Sequence, residues 1–339
     1  MNRRIWIILG LLGLLVLLQV LSLRVGSVSV TWEDILETLS FAGDSDSNDT
    51  HATIIWQFRW QRILLGTLVG VGLGAAGAGY QGLFRNPLAD PFVIGAASGA
   101  ALGVACLVVF GGERGVMGPL SNATAGLLGA LAAVWLVYTI ASLGSHVSVF
   151  TLLLAGVAVS SFAGALVSLL MFLNDREMAA IFHWILGSLA RPGGALLPWI
   201  TLLMAVGILS LWSSSRVLDA LTFGEETAAS LGVNLTTARL KIVVSASLAT
   251  AAAVAAAGTI GFVGLVAPHL ARQLVGARHG YLIPASALLG AILLIAADDL
   301  ARSIAAPAEL PVGVVTALLG SPFFLLLLRS TSRQSGGMA

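Results

Sequence analysis

The 339-residue chain contains one cysteine, one lysine and few charges of either sign. A lone cysteine, Cys106 within an apolar run, excludes an internal disulfide framework and a Cys-rich metal site. A lone lysine, set in Leu240-Lys241-Ile242, excludes a P-loop, which needs Gly-Lys-Ser/Thr around its phosphate cradle. Any ATP that powers the protein is therefore bound by another chain. With 10% charged residues and a net charge of +1, the chain lacks an electrostatic footprint for nucleic acid, and no basic stripe interleaved with aromatics supplies one. His51, His146, His183, His269 and His279 are dispersed over loops on both sides of the expected membrane, so no metal-ligand set converges; they read as interfacial or capping residues. Gly187-Ser188 lacks a G-x-S-x-G context and a nearby general base, so no catalytic residue is assigned.

What is abundant is apolar. Hydrophobic residues make up 58% of the chain, glycines number 39, and the mean hydropathy is +0.97, the composition of an all-α, polytopic membrane protein. Runs able to cross about 30 Å of hydrocarbon fall near 5–23, 63–82, 92–110, 119–141, 151–173, 195–213, 282–301 and 312–328. Residues 242–268 are uncharged but too long for one upright span and short for two. A break at Gly258-Thr259-Ile260-Gly261, sheltered inside the protein, makes them a hairpin and gives about ten transmembrane helices with both termini cytoplasmic. The basic start MNRR resembles a signal peptide, but its apolar run exceeds an h-region and no A-x-A site follows, which predicts a retained first helix. This topology places ten of the basic residues inside and seven outside, a mild positive-inside bias. The outer arginines then need a reason.

Three polar stretches stand out. VTWEDILETL predicts a short surface helix with a threonine N-cap, and GDSDSNDTH continues it as a polar loop that lacks the glycine and final glutamate of a calcium-binding EF-hand. FRNPLADP, on the inner side, is forced into extended or turn geometry by its two prolines; Asp90 and Pro91 suit the N-cap and first turn of the next helix. It serves either as a tight turn or as a contact with a partner. Gly95, Ser98, Gly99 and Gly103 beyond it permit close helix approach. LTFGEETAASLGVNLTTARLK, between two apolar runs, predicts a short helix with an acidic first turn, ended by Gly232.

FRNPLADP, LLLAGVAVS, WILGSL, LTFGEETAASLGVN, GTIGFVGLVAPHLAR and ADDLARSIAAPAELPVGVVTALLGSPFF, in this order from about Arg59 to the end, resemble the FecCD-type permeases of bacterial ABC importers for ferric siderophores, haem and cobalamin. The resemblance implies a single permease domain over 1–339 in a bacterial inner membrane. It also implies a dimer with a second copy or a close paralogue, two ABC ATPase subunits that hold ATP and Mg²⁺, and an extracytoplasmic solute-binding protein. This chain is then a transport subunit that binds no cofactor of its own.

The cytoplasmic segment 214–239 matches an E-x-A-x-x-x-G coupling pattern, which implies ATPase coupling through Leu218, Leu221, Gly224, Glu225, Glu226, Ala228 and Gly232; the alternative is a solvated loop. Ser145, Ser148, Val149 and Phe150 are implied as a cytoplasmic gate. Arg59, Arg62 and Arg302 are implied as sockets for glutamates of the binding protein, although Trp60-Gln61 stands where Leu-Pro is usual; the alternative is interfacial snorkelling. A stand-alone secondary carrier or channel remains the competing function, with Asp298 and Asp299 as the carboxylates a proton relay would need. A membrane enzyme ranks third.

Overall fold

The computed structural model describes residues 3–26, 28, 30–40, 50–111, 119–143, 148–190 and 197–335. All of its regular structure is helical, with no strand among the described residues. The first apolar run forms α1 (Arg3–Ser22), followed by the short helix α2 (Trp32–Ser40). Its cap is reciprocal: Thr31 Oγ1 accepts the Asp34 N–H at 3.2 Å, and Asp34 Oδ2 accepts the Thr31 N–H at 2.7 Å. Most of the GDSDSNDTH loop lies outside the described residues. One turn, α3 (Thr50–Thr53), then leads through a π-helical turn, Ile54–Arg59, into α4 (Trp60–Phe84).

Next come α5 (Ala96–Phe110), α6 (Pro119–Ala141), α7 (Val149–Leu173), α8 (Asp175–Ile185) and α9 (Leu197–Ser213). The polar segment folds as α10 (Ser215–Leu221) and α11 (Glu225–Ser230), and the chain finishes with α12 (Leu235–Ala257), α13 (Val263–Val275), α14 (His279–Ser303) and α15 (Val312–Ser335). Among the described residues six helices are each long and apolar enough to cross a membrane alone: α1, α4 with its preceding turns, α6, α7, α12 and α14. The bent pair α9–α10 passes the same test as one span, and α5 and the Val312–Leu326 part of α15 are shorter apolar helices.

Lipid tails are as apolar as leucine, so burial alone cannot hold these helices together; close packing of small residues does. The centre is α4 against α14. A Cβ added at Gly70 would lie 2.5 Å from the Gly290 carbonyl oxygen, and one at Gly74 only 2.2 Å from that of Ser286. The two backbones therefore touch. Gly99 and Gly103 of α5 meet Gly129 and Ala125 of α6 in the same manner, as their spacing suggests. Gly95, by contrast, acts as a turn, with φ of 86°.

The ambiguous stretch 242–268 is indeed broken. Helix α12 stops at Ala257, Gly258 turns the chain with φ of 71°, and α13 starts at Val263. The break is buried in protein, where unpaired backbone finds partners: Ser188 N–H donates to the Ala257 carbonyl at 2.8 Å, and Thr259 Oγ1 donates to the Ile185 carbonyl.

Direction follows from the α4–α14 pair. Arg62 meets Asp298 at one end, whereas a Cβ at Gly82 would strike His279 at the other. The 25 residues of α4 span about 37 Å, so the molecule has two distant ends. Arg4 of α1 lies over Tyr281 at the His279 end, and α15 starts from the Arg302 end, where Leu310 N–H donates to the Ala301 carbonyl.

Candidate functional site

At the Arg62 end the three singled-out arginines come together, but each faces inward. Arg62 holds Asp298 bidentately, with Nε 2.9 Å from Oδ2 and Nη2 2.8 Å from Oδ1, and its Nη1 donates to Glu309 at 2.7 Å. Arg302 donates to the Val25 carbonyl at 2.7 Å, to Ser22 Oγ at 2.8 Å and to Asp299, and its Nε lies 3.2 Å from Asp298 Oδ2 without hydrogen-bond alignment. Ser22 Oγ completes the ring by donating to Asp299 Oδ1 at 2.6 Å. Arg59 donates to the carbonyls of Leu23, at 2.6 Å, and Val28. Among the described residues it alone of the three has no carboxylate partner.

The three arginines are buried, at 3 to 8% exposure, and three carboxylates balance their charge. This is a neutral network tying α1, α4, α14 and the 304–311 loop together, so snorkelling does not describe it. A cavity of about 420 Å³ opens beside it, walled by Phe58, Arg59, Arg62, Arg302 and Glu309. Asp298 and Asp299, the carboxylates a proton relay would need, are both engaged by arginine.

At the opposite end α9 reaches Ser214 and the chain bends by 50° into α10. Leu218 and Leu221 of α10 and Ala228 of α11 are buried and anchor the segment to the bundle core. Gly224 precedes α11 with φ of 107° and Gly232 follows it with φ of 84°. The Val233 N–H reaches back to the Ala228 carbonyl at 3.1 Å, the six-to-one bond of a Schellman cap. Glu225 is drawn inward by an ion pair, 2.5 Å, to the buried guanidinium of Arg239 on α12. Asp219 Oδ1 accepts the His279 backbone N–H at 2.8 Å and lies 2.7 Å from His279 Nδ1, fixing α10 to the start of α14. Facing outward beside the small residues Thr222, Thr227, Ala229 and Ser230 are Glu226 and two large apolar side chains, Phe223 at 76% and Leu231 at 68% exposure.

The FRNPLADP turn lies at this same end. Arg85 takes a left-handed conformation, Asn86 Oδ1 accepts from Leu88 N–H at 2.9 Å, and Asp90 Oδ1 caps Phe92 N–H at 2.8 Å. Asp90 and Pro91 thus start a 3₁₀ turn, Pro91–Ile94, rather than α5 itself, because Gly95 reverses the backbone before α5 can begin. Burial pushes the Asp90 carboxyl up to about 6. Of the gate residues, Ser145 lies outside the described residues. Ser148 caps α7 reciprocally with Thr151, Val149 packs against the core, and Phe150 is 73% exposed.

Phe223, Leu231 and the pairs Glu225–Arg239 and Asp219–His279 were not legible as parts of the segment's architecture. Glu309 and Ser22 were equally hidden. The spacing of Asp298 and Asp299 from Arg302, four and three residues on a helix, was a readable signal.

Residues 14–330 match the FecCD transport family. The chain belongs to that family. It is 40% identical over 348 residues to the hemin transport system permease protein HmuU of Yersinia pestis, covering 99% of this chain and 100% of that protein. It is also 42% identical to the cobalamin import system permease protein BtuC of Halobacterium salinarum, covering 83% of this chain and 74% of that one. A solved chain of a metal-chelate type ABC transporter in an inward-facing conformation superposes with a TM-score of 0.81 at 34% identity, covering 96% of this chain and 99% of that one. The fold is that of a multi-pass ABC transporter permease.

Proposed function

We propose that the chain is the membrane subunit of an ATP-driven importer that carries a metal chelate, an iron-siderophore, haem or cobalamin, into the cytoplasm. The relatives named for hemin and cobalamin support that substrate class. The observation that carries the reading is the α10–α11 segment. Buried leucines, an alanine and an arginine pin it to the bundle, and it offers Glu226, Phe223 and Leu231 outward at the end away from the arginine network. A segment pinned from below that turns two large apolar side chains and an acid outward suits a docking face.

An ATPase subunit docks there and holds ATP and Mg²⁺; this chain holds neither and is not itself an enzyme. The working unit is two permease chains, identical or closely paralogous, with two ATPase subunits and a solute-binding protein, in a bacterial inner membrane. Val149 and Phe150, with Ser145 and Ser148, form the gate on the cytoplasmic side. At the far end the binding protein presents a carboxylate to the cavity beside Arg59, which alone of the three arginines touches no carboxylate among the described residues. A carrier acting alone would need a titrating carboxylate free to cycle, and Asp298 and Asp299 are held by arginines.

The test is copurification of the chain with its ATPase, followed by vesicle uptake of a panel of siderophore, haem and cobalamin driven by ATP and binding protein. Uptake of one chelate that stops without ATP supports the reading. Uptake that persists in vesicles lacking the ATPase would establish the stand-alone carrier instead.

A further inference from the structure

A cavity of about 580 Å³ opens between the end of α9, α10 and the start of α14, with Trp212, Arg216, Asp219, Arg278 and Tyr281 in its wall. Cations converge on it. The Arg278 guanidinium lies 5.9 Å from the Tyr281 ring centre, and that of Arg4, arriving from α1, lies 5.4 Å from the same ring. Asp219 is the one carboxylate in this wall, and His279 already occupies it through two contacts. Among the described residues Arg4, Arg216 and Arg278 make no ion pair. Three like charges gathered around one ring and one cavity outnumber the single carboxylate in its wall and leave room for an anion.

The position of the cavity selects the kind of anion. Trp212 is half exposed, and its indole N–H donates to the Gly280 carbonyl at 3.0 Å, the posture of a tryptophan fixed at a membrane–water boundary. One turn back along α9, Leu209 is 61% exposed, so the surface leading away from the cavity is lipid-facing. The outward residues of the α10–α11 segment, Phe223, Glu226 and Leu231, take no part in the wall. We propose that this cavity binds the headgroup of an anionic phospholipid from the cytoplasmic leaflet, with Arg216 and Arg278 holding the phosphate and the acyl chains lying along α9. Basic pockets between helices on the cytoplasmic side suit this chemistry. The proposal rests on the membrane fold and not on the importer reading, so either can fail alone.

The test uses the purified full chain with phosphatidylglycerol or phosphatidylcholine added, and counts retained lipid by native mass spectrometry. Wild type should retain phosphatidylglycerol in preference. Arg216→Gln and Arg278→Gln should each weaken that retention about fivefold, the worth of one basic residue near an anionic surface. Arg24→Gln, at the far end over Trp32, should not weaken it. Equal retention of the two lipids by wild type, which needs no variant to fold, overturns the proposal. So does an equal loss with Arg24→Gln, displacement of the lipid by inorganic phosphate, which would mark a free-anion site, or unchanged retention in the two variants accompanied by lost ATPase binding, which would give the cavity to the partner.

Discussion

Arg62 illustrates how a buried charge is kept. Its side chain is 10% exposed, so the desolvation cost is large, and only the bidentate grip on Asp298 and the Glu309 contact offset it. Arg62→Ala leaves Asp298 and Glu309 short of a cation and should lower stability by about 3 to 5 kcal/mol, read from thermal unfolding in detergent. The double change Arg62→Met with Asp298→Leu should cost less, because only the more exposed Glu309 then lacks its cation; equal losses would mean that the pair contributes by packing alone. Asp90 offers a test in pH. Its carboxyl is raised to about 6 from an ordinary 3.8, so the buried anion is disfavoured, fully above about 6 and not at all below 3.8. The FRNPLADP turn should therefore be firmer at pH 5 than at pH 7.5 by hydrogen exchange at Phe92 to Gly95. Asp90→Asn keeps the acceptor for the Phe92 N–H and should make protection independent of pH over that window. At this scale the sequence was half legible: Asp298, Asp299 and Arg302 announce themselves by helical spacing, while Arg62 and Asp298 stand 236 positions apart and nothing local joins them.

At the scale of elements, legibility was higher because each helix is written in its own residues. Apolar run length, the Thr31 cap and the Gly258 break all act within a few positions. What escaped was tertiary: the 50° bend between α9 and α10, where an apolar run passes straight into the polar segment. Gly232 is the element's most exposed dependence on one residue. A Cβ there meets nothing within 4 Å, so Gly232→Val carries no clash, only the strain of a β-branched residue at φ of 84°. The cost, on the order of 1 to 2 kcal/mol, is borne locally. The variant should insert and melt nearly as wild type does, yet lose ATPase copurification, and Gly232→Asn should restore much of it, since asparagine tolerates that conformation. Normal assembly of Gly232→Val would dissociate this cap from docking. The start of α7 makes a second demand: Val149→Gly removes apolar bulk at the proposed gate, where dewetting closes a pore. It should give vesicles that leak chelate or hydrolyse ATP without binding protein, and tight, fully coupled vesicles would remove Val149 from the gate.

Across the whole molecule, the two ends are joined by α4 and α14, whose backbones touch at Gly70, Gly74 and Gly290. No side-chain layer separates the two helices at these positions. Docking at the Arg59 end and at the α10–α11 end should then be separable in binding and joined only in turnover. Arg59→Gln is the informative change, since it removes the charge without leaving any carboxylate of the network short of its cation; reversing Arg62 or Arg302 would instead break the buried network. Removing one partner of a desolvated charge pair costs about 2 to 5 kcal/mol of association. Arg59→Gln should weaken the binding protein by that amount and leave ATPase affinity unchanged, and Gly232→Val should do the reverse. Sites about 37 Å apart along α4 share no partner, so the double variant should show each loss added to within about 0.5 kcal/mol. Titrations of each partner against the four permeases close the cycle. A larger coupling energy would mean that the resting permease already transmits binding from one end to the other, and by reciprocity it would appear equally in both titrations.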